Sequence, residues 1–428
     1  MEMKDIKKIG WLTLLSGALM SSNCNNTIGA EIDISSITST DLTHLMTAGW
    51  NLGNTLDAHW NSRVWRAINT PSDQETLWGN PVTTQAMINK IKSAGFNTVR
   101  IPVTWYMFTG PGPEYKIADA WMDRVKEVVD YVIGSGMFCI LNTHHEDYRS
   151  GEDGRGHWEC GWLRLYDKAG SKPLSNEEKE ELCNRLCRLW EQIAERFKDY
   201  NEYLLFEALN EPSTVGLEPA SREMWIEQCT FLNDLMQAFV DTVRSGGGKN
   251  ADRHLLITPY FASVGMDQND GDGRIGLFTD KENKKLRVND SRDRLIASLH
   301  YYEPWGFVMA PDDSPWFSAV FDLNKVNVSG NINNVLKIIE DNFISKGIPV
   351  IMGETGVMNR LMPNGRSNED EMVKWADYYI SKLKELGVPS IFWDGGGEMK
   401  MIDRNTLKWA YPDLTAAFVK AGNTAIKK

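Results

Sequence analysis

The sequence predicts an α/β fold, a (β/α)8 barrel with extended βα loops, and three observations carry that expectation. Eight short apolar or β-branched runs recur along the 428 residues, separated mostly by amphipathic helical stretches. No internal repeat and no Pro/Ser-rich linker marks a second domain, so the runs have one core to share. At the carboxyl ends of the runs stand Asn, Arg, His, Glu, Tyr and Trp, and that is the edge on which a parallel barrel carries its chemistry.

Taken in order, the first run, residues 48–53, carries Asn51, and a Pro before and a Gly after bracket a helix over 83–95. The second, 98–102, carries Arg100; the helix over 119–136 that follows has the apolar spacing Val125, Val128, Val129, Val132. The third, 139–144, ends on His144-His145 and opens a stretch, 146–175, longer than an ordinary βα loop and holding Trp158 and Trp162. A helix over 176–200 leads to the fourth run, 204–210, which ends Asn210-Glu211-Pro. A helix over 221–246 then leads to the fifth, 255–260, ending on Tyr260, and to a second long stretch, 261–294. The sixth, 296–302, carries His300 and Tyr302, with Trp305 just beyond. Helices over 331–347 and 368–387 flank the seventh run, 349–354, which ends on Glu354; the eighth, 389–395, carries Trp393. Loops that follow strands form the active face, so the two long stretches are expected to shape a cleft.

Composition narrows the partner. A net charge of -12 repels nucleic acid, anionic lipid and polyanionic sugars. A neutral substrate fits better, and indole faces, of which the chain has 16, stack on the apolar faces of sugars as readily as they fill cores. Lys4, Lys7 and Lys8 precede an apolar run over 9–20 that is too short to span a bilayer. Residues 1–30 are therefore expected to direct export, to a secreted, periplasmic or cell-surface location, and 31–428 to form the single barrel, acting as a monomer. Cys24 lies where a lipid anchor would attach, and cleavage near Ala30 is the alternative. The other cysteines are odd in number and without CxxC spacing, which argues against structural zinc. Cys183 and Cys187, spaced i, i+4 on a helix, read as small apolar residues in preference to a bridge. Residues 267–275, DQNDGDGRI, are in partial calcium-loop register, but Gln268 and Thr279 stand where acidic ligands belong, so a solvated turn is favoured.

The two glutamates define the chemistry. Glu211 ends the fourth run and Glu354 the seventh, three strands apart around an eight-strand ring, so they can face each other across the barrel mouth. Glycosidic cleavage needs such a pair, one protonated beside the leaving oxygen and one ionised at the anomeric centre. Arg100 would hold Glu354 ionised, which puts the pKa of Glu211 above that of Glu354. Asn210 offers a neutral donor for a sugar hydroxyl, His144, His145, His300 and Tyr302 offer further hydrogen bonds, and Trp393 offers an aromatic floor. The histidines lack HxH spacing and a third acidic ligand, so neither a metal nor any other cofactor is expected.

These residues lie in segments similar to glycoside hydrolase family 5, in detail to its subfamily 4 of endo-β-1,4-glucanases and xyloglucanases. The resemblance covers GWNLGNTLDA from Gly49, NPVTTQAMINKIKSAGFNTVRIPVTW from Asn80, ILNTHHE from Ile140, LLFEALNEP from Leu204, SLHYYEPWGF from Ser298 and PVIMGETG from Pro349. It implies a retaining, endo-acting enzyme on β-glucan backbones, with Glu211 as acid/base and Glu354 as nucleophile. Arg100, His144, His300, Tyr302 and Trp393 match the residues around the bond-cleaving subsite, and Asn51 and His145 match positions typical of the branch. The resemblance also implies a non-proline cis peptide between Trp393 and Asp394, and Trp305 is expected to stack on the leaving-group side. The stretch 146–175 is longer than the branch's. A β-mannanase shares this machinery and stays open as an alternative, as do a metal-dependent barrel hydrolase and, from another class, a non-catalytic carbohydrate-binding barrel.

Overall fold

Each of the eight apolar runs forms a strand: β1 (Ala48–Leu52), β2 (Thr98–Ile101), β3 (Phe138–Asn142), β4 (Leu204–Glu207), β5 (Leu255–Ile257), β6 (Leu295–His300), β7 (Val350–Thr355) and β8 (Ser390–Asp394). The computed structural model describes residues 36–427 except 61–65, 148, 151–158, 168–171, 214–220, 265–277, 281–284 and 398. The expected export segment with Cys24, the acidic stretch 267–275 and Trp158 lie outside the described residues. Within them, the strands pair in parallel and close in the order β1-β8-β7-β6-β5-β4-β3-β2. Every residue of these strands is buried except Trp393. Strands covered on both faces are apolar throughout, which is why the sequence shows runs here in place of alternation.

The helices α1 (Gln85–Ser93), α2 (Asp119–Gly134), α3 (Asn176–Arg196), α4 (Arg222–Ser245), α5 (Val326–Asn342), α6 (Glu369–Trp375) and α7 (Pro412–Gly422) surround the barrel. Local chemistry sets their starts. The Thr84 and Ser221 side chains accept from the backbone N–H groups of Met87 and Met224, and Ser175 with Glu178 forms a reciprocal capping box at α3. The valines of α2 are all buried, as their spacing predicts. A π turn over Ala376–Ile380 and a further turn, Ser381–Glu385, prolong α6 to nearly its expected length. Two expectations shift: α5 begins at Val326 and not at 331, and α7 was not anticipated. Phe418 of α7 packs against the rings of Phe96, Trp375 and Phe392, covering the β8–β1 side.

The two long stretches follow β3 and β5. Among the described residues, 258–294 contains a 3-10 turn, Tyr260–Ala262, and a small ladder of Thr279–Asp280 with Lys285–Leu286, but no crossover helix. In 146–175, the buried Glu146 carboxylate accepts from the Trp105 backbone N–H (2.6 Å) and the Trp162 indole N–H (2.5 Å). Trp162 thus turns inward and anchors its loop. Cys183 and Cys187 are both free thiols, without a bridge.

Candidate active site

Strand register brings the polar residues together. Asn51 on β1 stands opposite Arg100 on β2, Asn142 on β3 opposite Glu207 on β4, and His300 on β6 opposite Glu354 on β7, where the ladder shifts between Leu299 and His300. The Arg100 guanidinium, fully buried, is the hub. Its Nε donates to Glu207 Oε2 (2.7 Å), one terminal nitrogen to Glu354 Oε1 (2.7 Å) and Asn51 Oδ1 (3.0 Å), and the other to Asn210 Oδ1 (2.8 Å). Burial alone would make Arg100 less basic, but the Glu207 and Glu354 carboxylates outweigh it, so the charge is permanent.

Asn142 sets the state of the nearest histidine. Its Oδ1 accepts from the Val103 backbone N–H (3.0 Å), which turns Nδ2 toward Glu207 Oε2 (3.0 Å) and His144 Nδ1 (3.1 Å). His144 Nδ1 is therefore an acceptor and Nε2 carries the proton, facing Glu354 Oε1 at 4.0 Å. Burial, reinforced by His145 and Arg100, holds the His144 pKa well below its ordinary value, so the ring is neutral. Glu207 is satisfied on its other oxygen by Ser298 Oγ–H (2.5 Å).

Glu354 receives two donors, Arg100 on Oε1 and the Tyr302 hydroxyl on Oε2 (2.9 Å). Even so, burial outweighs the pull of His300 and Arg100 and raises the Glu354 pKa above its ordinary value. This corrects the expectation that Arg100 would set a depressed value: the carboxyl is too deeply buried for one cation to dominate. His300 Nδ1 lies 2.7 Å from Glu211 Oε1 and 3.7 Å from Glu354 Oε2. Burial opposes protonation of His300, but the two carboxylates prevail and raise its pKa. Carboxylate oxygens of Glu211 and Glu354 come within 4.8 Å of each other.

Around this pair opens a cleft of about 960 Å³, whose walls include His144, His145, Asn210, Glu211, His300, Tyr302, Trp305, Glu354 and Trp393. Asn51 and Arg100 are fully buried and do not line it. Their place is beneath the cleft, where Asn51 also donates to the carbonyls of Gly353 (2.9 Å) and Ile391 (3.3 Å), so both hold the groups that form its base. Trp393 stacks on His144 with ring planes 10° apart. Gly53 makes room for the indole: a Cβ there would come within 2.7 Å of the Trp393 ring. The peptide between Trp393 and Asp394 is not cis; among the described residues the cis bonds are Gly112-Pro113 and Glu303-Pro304. The β1 ladder runs without a break through both residues, pairing Trp393 with Asn51 and Asp394 with Leu52, and it keeps β8 extended at this point. Tyr260 also departs from its expected place. It is buried against Trp225, and its neighbour Phe261, in left-handed backbone conformation and half exposed, lines the cleft in its stead.

Glu207, Asn142 and Phe261 escaped the sequence reading. The signal for Glu207 was available: a carboxylate inside an otherwise apolar buried run needs a partner, and Arg100 is a cation in the same situation. Two donor sets have the spacing to hold a metal, Glu211–His300–Glu354 and Asp57–His144–His145, each with atoms within 4.8 Å. In the first, the fixed charge of Arg100 already occupies one side of Glu354, which opposes a second cation. In the second, burial pushes Asp57 up to about 7, and its carboxylate accepts from the Thr55 and Asn54 backbone N–H groups.

Known proteins share this arrangement's sequence and fold. A family model described as Cellulase (glycosyl hydrolase family 5) matches residues 56–398. The chain is similar to Endoglucanase B of Neocallimastix patriciarum, 37% identical over 435 residues that cover 99% of this chain and 78% of that protein. It is also similar to the structure of a GH5-4 broad specificity endoglucanase from Ruminococcus champanellensis with bound cellotriose (36% identity, TM-score 0.73, 90% of this chain and 98% of that one). A third relative is a GH5 xyloglucan-specific endo-β-1,4-glucanase from a metagenomic library, in complex with cellotriose (33% identity, TM-score 0.70, 89% and 98%). A match over most of the chain at these identities shows descent and not only a shared barrel: the protein belongs to glycosyl hydrolase family 5, the cellulase family, and is a glycoside hydrolase.

Proposed function

We propose that the enzyme cleaves the backbone of β-1,4-linked glucans internally and with retention of configuration, with Glu354 as nucleophile and Glu211 as acid/base. The observation that carries this reading is the pair of carboxylates whose oxygens approach within 4.8 Å, one clamped by Arg100 and Tyr302 and the other at the cleft wall beside His300. Retaining enzymes hold their carboxyl groups about 5–5.5 Å apart, whereas inverting ones keep roughly 6.5–9.5 Å for a water.

In the first step an oxygen of Glu354 bonds to the anomeric carbon as the glycosidic C–O bond breaks, and the proton on Glu211 goes to the leaving oxygen. In the second, Glu211 takes a proton from water, the water oxygen bonds to the same carbon, and the ester to Glu354 breaks. Arg100 and Tyr302 hold Glu354 in line and stabilise its charge when it is released. Asn210, its Oδ1 committed to Arg100, presents its amide N–H groups to the sugar. His144, with its proton on Nε2, donates from the neighbouring wall, and Trp393 supplies the floor.

The name of each relative describes that relative, and the similarity to two endoglucanases and one xyloglucan-specific enzyme supports a glucan backbone for this chain. The test is reducing-end release from soluble β-glucans, xyloglucan, glucomannan and xylan, with viscosity followed in parallel. The expected result is cleavage of a β-1,4-glucan with an early fall in viscosity; turnover of mannan alone would contradict the reading.

A further inference from the structure

A second groove, of about 490 Å³, adjoins the cleft and shares Glu303 and Trp305 as walls with it. Its size falls in the range of small-ligand sites, roughly 300–1,000 Å³. Trp316, 70% exposed, also lines it. Folding gains little from an indole left mostly in water. The segment that carries it is nevertheless firmly held. Ser318 N–H donates to Gly306 O (2.9 Å), Arg360 donates to Ala310 O (2.5 Å), and Asn368 donates to Ala319 O (3.0 Å). The Trp316 carbonyl lies so close to Gly306 that a Cβ there would come within 2.1 Å of it, so only glycine admits this approach. The backbone that carries this large, exposed aromatic ring is thus held in place next to the cleft.

We propose that the groove between Trp305 and Trp316 is a further sugar-binding subsite, in which a neutral pyranose ring stacks on Trp316. The inference rests on the glucan-hydrolase reading of the adjoining cleft. Two features select a sugar as occupant. The groove continues from the cleft of a glycoside hydrolase, and its lining mixes the aromatic Trp316 and Phe317 with Ser318 and Asn331 and with one group of each charge, Glu303 and Lys325, which suits a neutral ring with apolar faces and a hydroxyl rim. The ring has two possible sources, the next glucosyl unit of the backbone beyond Trp305 or a sugar branching from that backbone.

The experiment compares wild type with Trp316→Ala and Trp316→Phe by kcat/KM on cellohexaose, on a xylose-branched cello-oligosaccharide and on an aryl β-cellobioside. The exposure of Trp316 makes both variants safe for folding. The aryl substrate reports the bond-cleaving pocket, so failure of the wild type on all three would strike the functional reading and not this subsite. With the wild type active, the oligosaccharide-to-aryl ratio is expected to fall roughly five- to tenfold in Trp316→Ala, the loss from about 1 kcal/mol of aromatic burial, and to recover in part in Trp316→Phe. A fall with cellohexaose assigns the ring to the backbone, and a fall confined to the branched substrate assigns it to a branch. An unchanged ratio on both would overturn the proposal.

Discussion

At the scale of single residues, the site depends on two buried carboxylates sharing one buried guanidinium. Glu207 holds Arg100 from below, and Arg100 holds Glu354 and Asn210 above it. Glu207→Ala leaves Arg100 with half of its compensation and should destabilise the protein by about 3–5 kcal/mol, the cost of breaking a buried ion pair. Urea denaturation measures it, and a variant as stable as wild type would show that Glu207 is not the anchor. Titration gives a second test. Turnover needs Glu354 ionised, and burial raises its pKa above the ordinary 4.5, so the acid limb of kcat/KM should lie above that value, with activity lost as pH falls through it. For His300, a folded-state pKa above the ordinary 6.5 means that its protonation favours the fold. That contribution is fully present below 6.5 and is lost as pH rises through the raised value. His300→Gln should flatten this part of the profile of melting temperature against pH; an unchanged slope would deny His300 the role. The glutamates of the site were legible in the sequence because strand ends face the cleft. Glu207 and Asn142 were not, since each stands within an apolar run, and the bonds that join them to each other and Glu207 to Arg100 span 65 and 107 residues.

At the scale of elements, the eight strands could be read because parallel strands buried on both faces leave continuous apolar runs, and α2 could be read from its valine spacing. The start of α5 and the whole of α7 were harder. Val326–Gly330 is itself made of weak helix formers, so packing against the barrel decides the start of α5, and α7, opened by Pro412, shows its period only in Leu414, Ala417, Phe418 and Ala421. The connection after β6 carries the element-scale consequence. Trp305 opens a short helix, Trp305–Val308, with 38% of its surface exposed at the cleft wall. Trp305→Ala should weaken binding of long oligosaccharides by roughly 1–3 kcal/mol, visible as a higher KM. Unchanged kinetics would make Trp305 a scaffold residue.

At the scale of the whole molecule, closure of the barrel converts residues scattered from position 51 to position 393 into one site whose side chains can supply the chemistry. Exhaustive chelation should therefore leave turnover intact, because two carboxylates can divide proton transfer and nucleophilic attack between them. Loss of activity restored by one divalent ion would transfer the chemistry to a metal at one of the two donor sets. Azide rescue separates the roles of Glu211 and Glu354. Glu211→Ala should still be glycosylated at Glu354 by an aryl β-cellobioside with a good leaving group, and then stall for want of a base. Azide needs no base, so its addition should restore turnover and yield the β-glycosyl azide. An α-glycosyl azide from Glu211→Ala, or rescue that appears in Glu354→Ala with Glu211 intact and not in Glu211→Ala, would contradict the assignment.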